Sequence, residues 1–221
     1  MSKLIVAIDG PAGSGKSSVS KALAKRFDFG YLDTGAAYRA LAWLVNRGLE
    51  IESLQKGDIE SKFDYSISAD PEDFWVRVGE VDVTELIRST EVSESVSAVA
   101  QIPNVRSFMK ALTHKLASQC EQSGIIIEGR DITTVVFPEA QSRILLTASE
   151  EVRLQRRSKE LAISQNVANQ VTSRDASDSK VVNFTEAAPG VTLIDSSNLD
   201  FGQTVQVMAE QIELDLKANN S

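Results

Sequence analysis

The chain of 221 residues contains a single cysteine, Cys120, and a single histidine, His114. One cysteine excludes an intramolecular disulfide, and the pair leaves no Cys/His set of the kind that holds structural zinc. Cys120 is therefore expected to be a small buried side chain, and His114 a structural residue within a helical pattern. Basic residues are in deficit, with 23 Lys and Arg against 31 Asp and Glu and a formal net charge of −8. That balance argues against a nucleic acid polymer or an anionic membrane as partner, because phosphate-rich surfaces would be repelled. No stretch approaches the roughly 18 apolar residues that span a bilayer. The apolar run Leu4–Ile8 is too short for a signal-peptide core, so the protein is expected in the cytoplasm.

What is present is an alternation of short apolar runs and helical patterns, the signature of βαβ units around a parallel sheet. Strands are predicted at Leu4–Asp9, Tyr31–Leu32, Ile125–Ile127, Arg143–Leu146 and Val191–Ile194. Helices are predicted at Lys16–Phe27, Ala36–Asn46, Glu91–Ala100, Val105–Ser118 and Phe201–Leu216. A charged helix begins near Ser149, whose hydroxyl can cap it ahead of Glu150 and Glu151. One region breaks the alternation. Period-two spacing over residues 63–83, around a Gly79-Glu80 turn, predicts a small antiparallel insertion.

The segment Gly10-Pro11-Ala12-Gly13-Ser14-Gly15-Lys16-Ser17 matches G-x-x-x-x-G-K-[ST], between a strand and a helix as that motif requires. Gly13 and Gly15 can take positive φ, and successive N–H groups then converge on phosphate oxygens at a helix N-terminus. Lys16 supplies a point charge to the β- and γ-phosphates of ATP, Ser17 can reach Mg2+, and Ser18 continues the cradle. A GTPase switch is disfavoured. No glycine has an aspartate three residues before it, and the nearest guanine-reader-like string, Gln55-Lys56-Gly57-Asp58, lacks the asparagine.

Two further segments place charge where strands end, at the edge that binds ligands in open α/β sheets. Tyr31-Leu32-Asp33-Thr34-Gly35-Ala36-Ala37-Tyr38-Arg39 is one, and Glu128-Gly129-Arg130-Asp131 is the other. Paired arginines and carboxylates beside a phosphate cradle suit a second, anionic substrate. Asp33 and Asp131 would also suit as caps of the helices that follow them.

Together these blocks resemble cytidylate kinase of the bacterial type. The resemblance is carried by Asp9–Ser18, Asp33–Arg39, Arg88–Val92, Ser97, Pro103–Arg106, Gly129–Pro138, Thr147–Ser149, Arg156-Arg157, Arg174-Asp175 and Asp178-Ser179, in the family's order over nearly the whole chain. It implies a P-loop kinase fold: a five-stranded parallel sheet flanked by helices, a small antiparallel β insertion, and a helical lid. It also implies one domain over 1–221, with residues 36–108 as the monophosphate-binding region and 154–182 as the lid. The implied reaction is ATP-dependent phosphorylation of CMP or dCMP by a monomer using Mg2+. On the matching positions, Ser97, Arg106 and Asp131 would contact cytosine. Arg39 and Arg130 would hold the acceptor phosphate, with Thr34, Tyr38 and Asp33 nearby, and Arg174 and Asp178 would meet the sugar.

The run from Arg153 to Glu160 reads either as an exposed helix with i,i+4 ion pairs such as Arg156 with Glu160, or as part of a lid. The resemblance favours the lid, with Arg157 and Arg174 stabilising the transferring phosphoryl group and Arg156 on the ATP side. After Ser179 the family commonly carries an arginine two residues on. Here Val181 stands in that place, next to Lys180.

Overall fold

The structure is a computed structural model that describes residues 3–56, 58–161 and 186–219. The chain forms two compact units, residues 1–31 with 121–221, and residues 32–120.

The first unit is built on a five-stranded sheet of order β2-β6-β1-β7-β8. Its strands are β1 (Leu4–Asp9), β2 (Gly30–Asp33, where the chain passes into the second unit), β6 (Gly124–Gly129), β7 (Ser142–Thr147) and β8 (Thr192–Asp195). β1 lies between β6 and β7 and runs parallel to both, and β8 runs parallel to β7. Val6, Ala7, Ile8, Ile125, Ile126, Ile127, Ile144 and Leu146 are all fully buried. Such two-sided burial explains why these strands read as continuous apolar runs instead of alternating ones. Helices α1 (Lys16–Phe27), α6 (Glu150–Leu161) and α7 (Phe201–Ala218) belong to this unit. α7 opens with a capping box, Asp200 accepting from Gln203 N and the Gln203 side chain accepting from Asp200 N. Ser149 caps α6 as expected, its hydroxyl accepting from Val152 N.

The second unit holds α2 (Thr34–Asn46), the short α3 (Ile51–Gln55), the sheet β3 (Tyr65–Ile67), β4 (Val76–Val78) and β5 (Val81–Asp82), then α4 (Thr90–Ala100) and α5 (Pro103–Gln119). The three strands pair antiparallel in register Tyr65 with Val78 and Val78 with Val81, so the predicted insertion is present. Pro103 does not separate two helices from outside. It occupies the first turn of α5, where its missing N–H is not needed. The core of this unit gathers Leu41, Trp43, Phe63, Val96, Val105 and Met109. Three short elements had no sequence signature: α3, a 3-10 turn at Leu86–Arg88, and a π-helical turn at Ile132–Val136 after β6. Among the described residues, no helix is long and apolar enough to cross a membrane.

Candidate active site

In the first unit, β1 ends at Asp9 and the chain turns through Gly10–Gly15 directly into α1. Gly13 and Gly15 take φ of +76° and +86°, the left-handed conformations expected of them. A Cβ on Gly13 would lie 2.5 Å from the Arg153 carbonyl oxygen, and one on Gly10 would strike the Leu146 carbonyl. The loop is therefore wedged against the backbones of α6 and β7.

Three arginines, one just after β6 and two from α6, hold alternate carbonyls of this loop. Arg130 donates to Gly10 O at 3.0 Å, Arg153 to Ala12 O at 3.0 Å, and Arg156 to Ser14 O at 3.1 Å. In a trans peptide the C=O and N–H point in opposite directions. The N–H groups of Gly13 and Gly15 therefore point away from Arg153 and Arg156, toward the other face of the loop at the start of α1. That is the orientation an anion cradle needs.

Glu128, near the end of β6, is 1% exposed. It accepts from the Tyr31 hydroxyl at 2.5 Å on one oxygen, and from the Ser17 hydroxyl at 3.0 Å on the other. The Lys16 ammonium lies 3.9 Å from that second oxygen. Lys21 stands over the Tyr31 ring, 5.4 Å from its centroid, and steadies the tyrosine from behind. A hydroxyl that donates to a carboxylate keeps its lone pairs for a cation. Ser17 and Glu128 are hard oxygen donors, which fit Mg2+, an ion that takes one or two protein groups and fills the rest of its shell with water and phosphate. Among the described residues there is no group of three or more His, Cys, Asp or Glu that could by itself hold a metal ion.

Arg156 does more than touch the loop. It also donates to Ser196 Oγ at 2.9 Å, Ser196 O at 2.9 Å and Leu199 O at 3.2 Å, tying α6 and the P-loop to the segment after β8. Arg157 follows it in α6, but its side chain lies outside the described residues, as do Arg174 and Asp178.

Beyond Arg130, Asp131 opens the π-helical turn. Its carbonyl accepts from Val135 N at 2.9 Å and Val136 N at 3.1 Å, while its carboxylate makes no capping bond to the turn. The capping comes instead from Asp9. Its carboxylate accepts from Ile132 N, Thr133 N and Thr133 Oγ1 at 2.9, 2.8 and 2.6 Å.

In the second unit, Asp33 does cap α2, accepting from Ala36 N at 3.1 Å. Thr34 is buried on the first turn, with Tyr38 and Arg39 half-buried one turn on. Asp33 and Arg39 flank Gly35, where a Cβ would lie 3.0 Å from Asp33 Oδ1 and 3.6 Å from Arg39 Nη1. The Tyr65 hydroxyl, from β3, is buried with no hydrogen-bond partner among the described residues. Burial holds its pKa well above the usual phenol value, and the Asp33 charge adds to the shift. Ser97 on α4 and Arg106 in the first turn of α5 are both half-buried. His114 is exposed on α5 and Cys120 is buried.

The cytidylate kinase family model matches residues 6–214. The chain belongs to the cytidylate kinase family. Cytidylate kinase from Streptomyces avermitilis is 40% identical over 216 residues, covering 95% of this chain and 93% of its own length. Cytidylate kinase from Cutibacterium acnes is 39% identical over 222 residues, covering 98% and 99%, and that from Carboxydothermus hydrogenoformans is 40% identical over 217 residues, covering 94% and 96%. Among solved structures, shikimate kinase from Bacteroides thetaiotaomicron shares the fold, with a TM-score of 0.50 at 11% identity over 95% of this chain and 98% of that one. Membership of the cytidylate kinase family makes the chain a P-loop phosphotransferase, in keeping with the loop geometry above.

The loop residues Gly10 to Ser17 thus form one constellation with Arg130; Ser17 and Ser18 are both exposed at the start of α1. Two residues with no expected role join it: Glu128 and Asp9. Both stand at or next to the end of apolar strands of a parallel sheet, and an acid in that place is buried and must find donors.

Proposed function

We propose that the chain transfers the γ-phosphoryl group of ATP to CMP or dCMP, giving ADP and the cytidine diphosphate. The observation that carries this reading is the joining of Arg130-Asp131 to the mouth of the P-loop. Arg130 donates to Gly10 O, and the two residues after Asp131 donate to Asp9. A positive group and a carboxylate fixed at the edge of an ATP cradle suit an acceptor that carries both a phosphate and an amino-bearing base.

On this reading the N–H groups of Gly13 and Gly15, with Lys16, bind the ATP phosphates and draw charge from them as the bond to the leaving oxygen lengthens. Ser17 and Glu128 would hold Mg2+, which when bound neutralises charge on the β- and γ-phosphates. Arg130 and Arg39 hold the acceptor phosphate. Asp131 accepts from the exocyclic amine of cytosine, which a uracil carbonyl cannot supply, and Ser97 and Arg106 complete the reading of the base. Thr34, Tyr38 and Asp33 line the acceptor side, and Arg174 and Asp178 meet the sugar. Arg157 and Arg174 close over the transferring group. The acceptor is already an anionic phosphate, so no general base is required and the work is positioning and electrostatic stabilisation.

A coupled ADP-release assay with CMP, dCMP, UMP and AMP tests the proposal. CMP and dCMP should turn over well above UMP and AMP. Equal turnover of AMP, or ATP binding without transfer to any monophosphate, would overturn it.

A further inference from the structure

Asp9 is 2% exposed and takes no part in the phosphate chemistry described above. It sits where β1 meets both neighbours, level with Gly129 of β6 and Leu145 of β7. Burial raises its pKa, while the donors from Ile132 and Thr133 pull the other way and the nearby Asp131 charge adds to the rise. A carboxylate in that position is costly unless donors surround it, and its three donors all come from one place, the first two residues of the Ile132–Val136 turn.

Of these, the Thr133 N–H is one that the residue opening a helical turn normally caps with its own side chain. Here that residue is Asp131, a good capping type, and yet its carboxylate makes no such bond. Asp9 caps the turn from another strand, across 123 residues of sequence to Ile132. π-helical turns are rare and occur frequently at functional sites.

We propose that Asp9 is a positioning residue for the acceptor base. It caps the 132–136 turn in place of Asp131, so that the turn's N–H groups do not draw the Asp131 carboxylate away from the base, and it holds the Arg130 guanidinium against Gly10. The proposal rests on the reading of Asp131 as the group that accepts from the cytosine amine.

Asp9→Asn tests it. An amide keeps the size but sets an NH2 against an N–H, of Ile132 or of Thr133 according to how it turns. The 132–136 turn then competes for the Asp131 carboxylate as its cap. The KM for CMP should rise about tenfold, and the preference for CMP over UMP should fall by about the same factor, with the KM for ATP within about twofold. Thr133→Val removes the hydroxyl donor alone and should act in the same direction by about threefold, while Thr133→Ser, which keeps the donor, should restore near-normal values. If the Asp9→Asn protein does not fold, the two Thr133 variants carry the test. A purely structural role would lower the melting temperature but leave the CMP/UMP ratio unmoved at temperatures where the protein is folded. That result overturns the proposal, as does an equal rise in KM for ATP and CMP. Asp131→Ala is measured alongside. If it too leaves base preference unchanged, the functional reading fails and the proposal with it; if it relaxes preference while Asp9→Asn does not, the proposal alone fails.

Discussion

Replacing Arg156 by methionine should separate the two things that this side chain joins. Methionine keeps most of the stem's packing and removes the guanidinium, and with it four hydrogen bonds, to Ser14 O, Ser196 Oγ, Ser196 O and Leu199 O, at 2.9–3.2 Å. Bonds from a charged donor contribute about 1.5–3 kcal/mol each when water cannot replace them. Ser196 is fully buried, so water cannot replace the lost donor there, although Ser196 O keeps Leu199 N and Ser196 Oγ keeps its bond to Thr147 O, whereas the Ser14 and Leu199 carbonyls can be rehydrated in part. Counting only the Ser196 pair at the lower bound, the loss is about 3 kcal/mol. For a chain of this length that lowers the melting midpoint by about 6–12 °C. The second effect falls on ATP. Without Arg156 the Ser14 peptide is no longer held with its partner N–H, that of Gly15, turned toward the phosphates. A tenfold weaker ATP affinity removes about 1.4 kcal/mol of ligand stabilisation at a fixed excess of ATP, or about 3–6 °C of the ATP-induced rise. Differential scanning calorimetry with and without ATP reads both quantities from one sample. A midpoint within about 2 °C of the parent, well short of that estimate, refutes the clasp. A lowered midpoint with an undiminished ATP-induced rise refutes the link from Arg156 to the loop. Arg156→Lys should recover only a fraction, because one ammonium cannot span four divergent acceptors.

Three further substitutions probe the same unit. Glu128→Gln leaves a single acceptor for two hydroxyls and removes the charge near Lys16, so the Mg2+ concentration for half-maximal activity should rise about 10- to 100-fold; a magnesium titration by ADP release, with ATP binding measured by calorimetry, checks it. Gly13→Ala forces a side chain into a φ of +76° and against the Arg153 carbonyl. It should cost at least about 2 kcal/mol, seen as a fall of about 4–8 °C in thermal melts, and should abolish ATP-induced stabilisation. Arg130→Ala should lower turnover of CMP by about 100-fold or more while leaving ATP affinity within about threefold, measured by steady-state kinetics beside calorimetric titration.

Features set by short-range chemistry were legible in the sequence. The glycine spacing of Gly10–Gly15 encodes a turn locally, and the runs Leu4–Asp9 and Ile125–Ile127 announce buried parallel strands because both faces are covered. Boundaries shifted where a cap decided them: α2 begins at Thr34, two residues before the apolar pattern, because Asp33 takes the N–H of Ala36. The contacts that turn a phosphate loop into a site were not legible. Ser17 meets Glu128 across 111 residues and Asp9 meets Thr133 across 124, and no spacing rule reaches that far. The helical charge pattern around Arg156 pointed as readily to an ion pair with Glu160. What distinguishes Arg156 is the presence of the Ser14, Ser196 and Leu199 carbonyls within its reach, and only the fold places them there.

The P-loop and its arginines also bear on what each cation can do in the reaction. Arg130, Arg153 and Arg156 each use a terminal nitrogen on a loop carbonyl, so the loop's positive surroundings are partly committed before any nucleotide arrives. Such an arrangement is preorganised: the dipoles of the Ala12–Gly13 and Ser14–Gly15 peptides are aligned by protein charge, and no reorientation is needed when charge develops on the phosphates. It follows that the three arginines are unequal. Arg156, with four bonds to neutral acceptors, is occupied with building the loop, and its loss should appear in stability and ATP affinity. Arg130 bonds the loop at its entrance and is joined in sequence to Asp131, so its loss should appear in turnover of the acceptor. The same guanidinium chemistry thus serves two purposes, distinguished by what else each side chain holds: Arg156 also binds Ser196 and Leu199, whereas Arg130 bonds Gly10 at the loop's entrance.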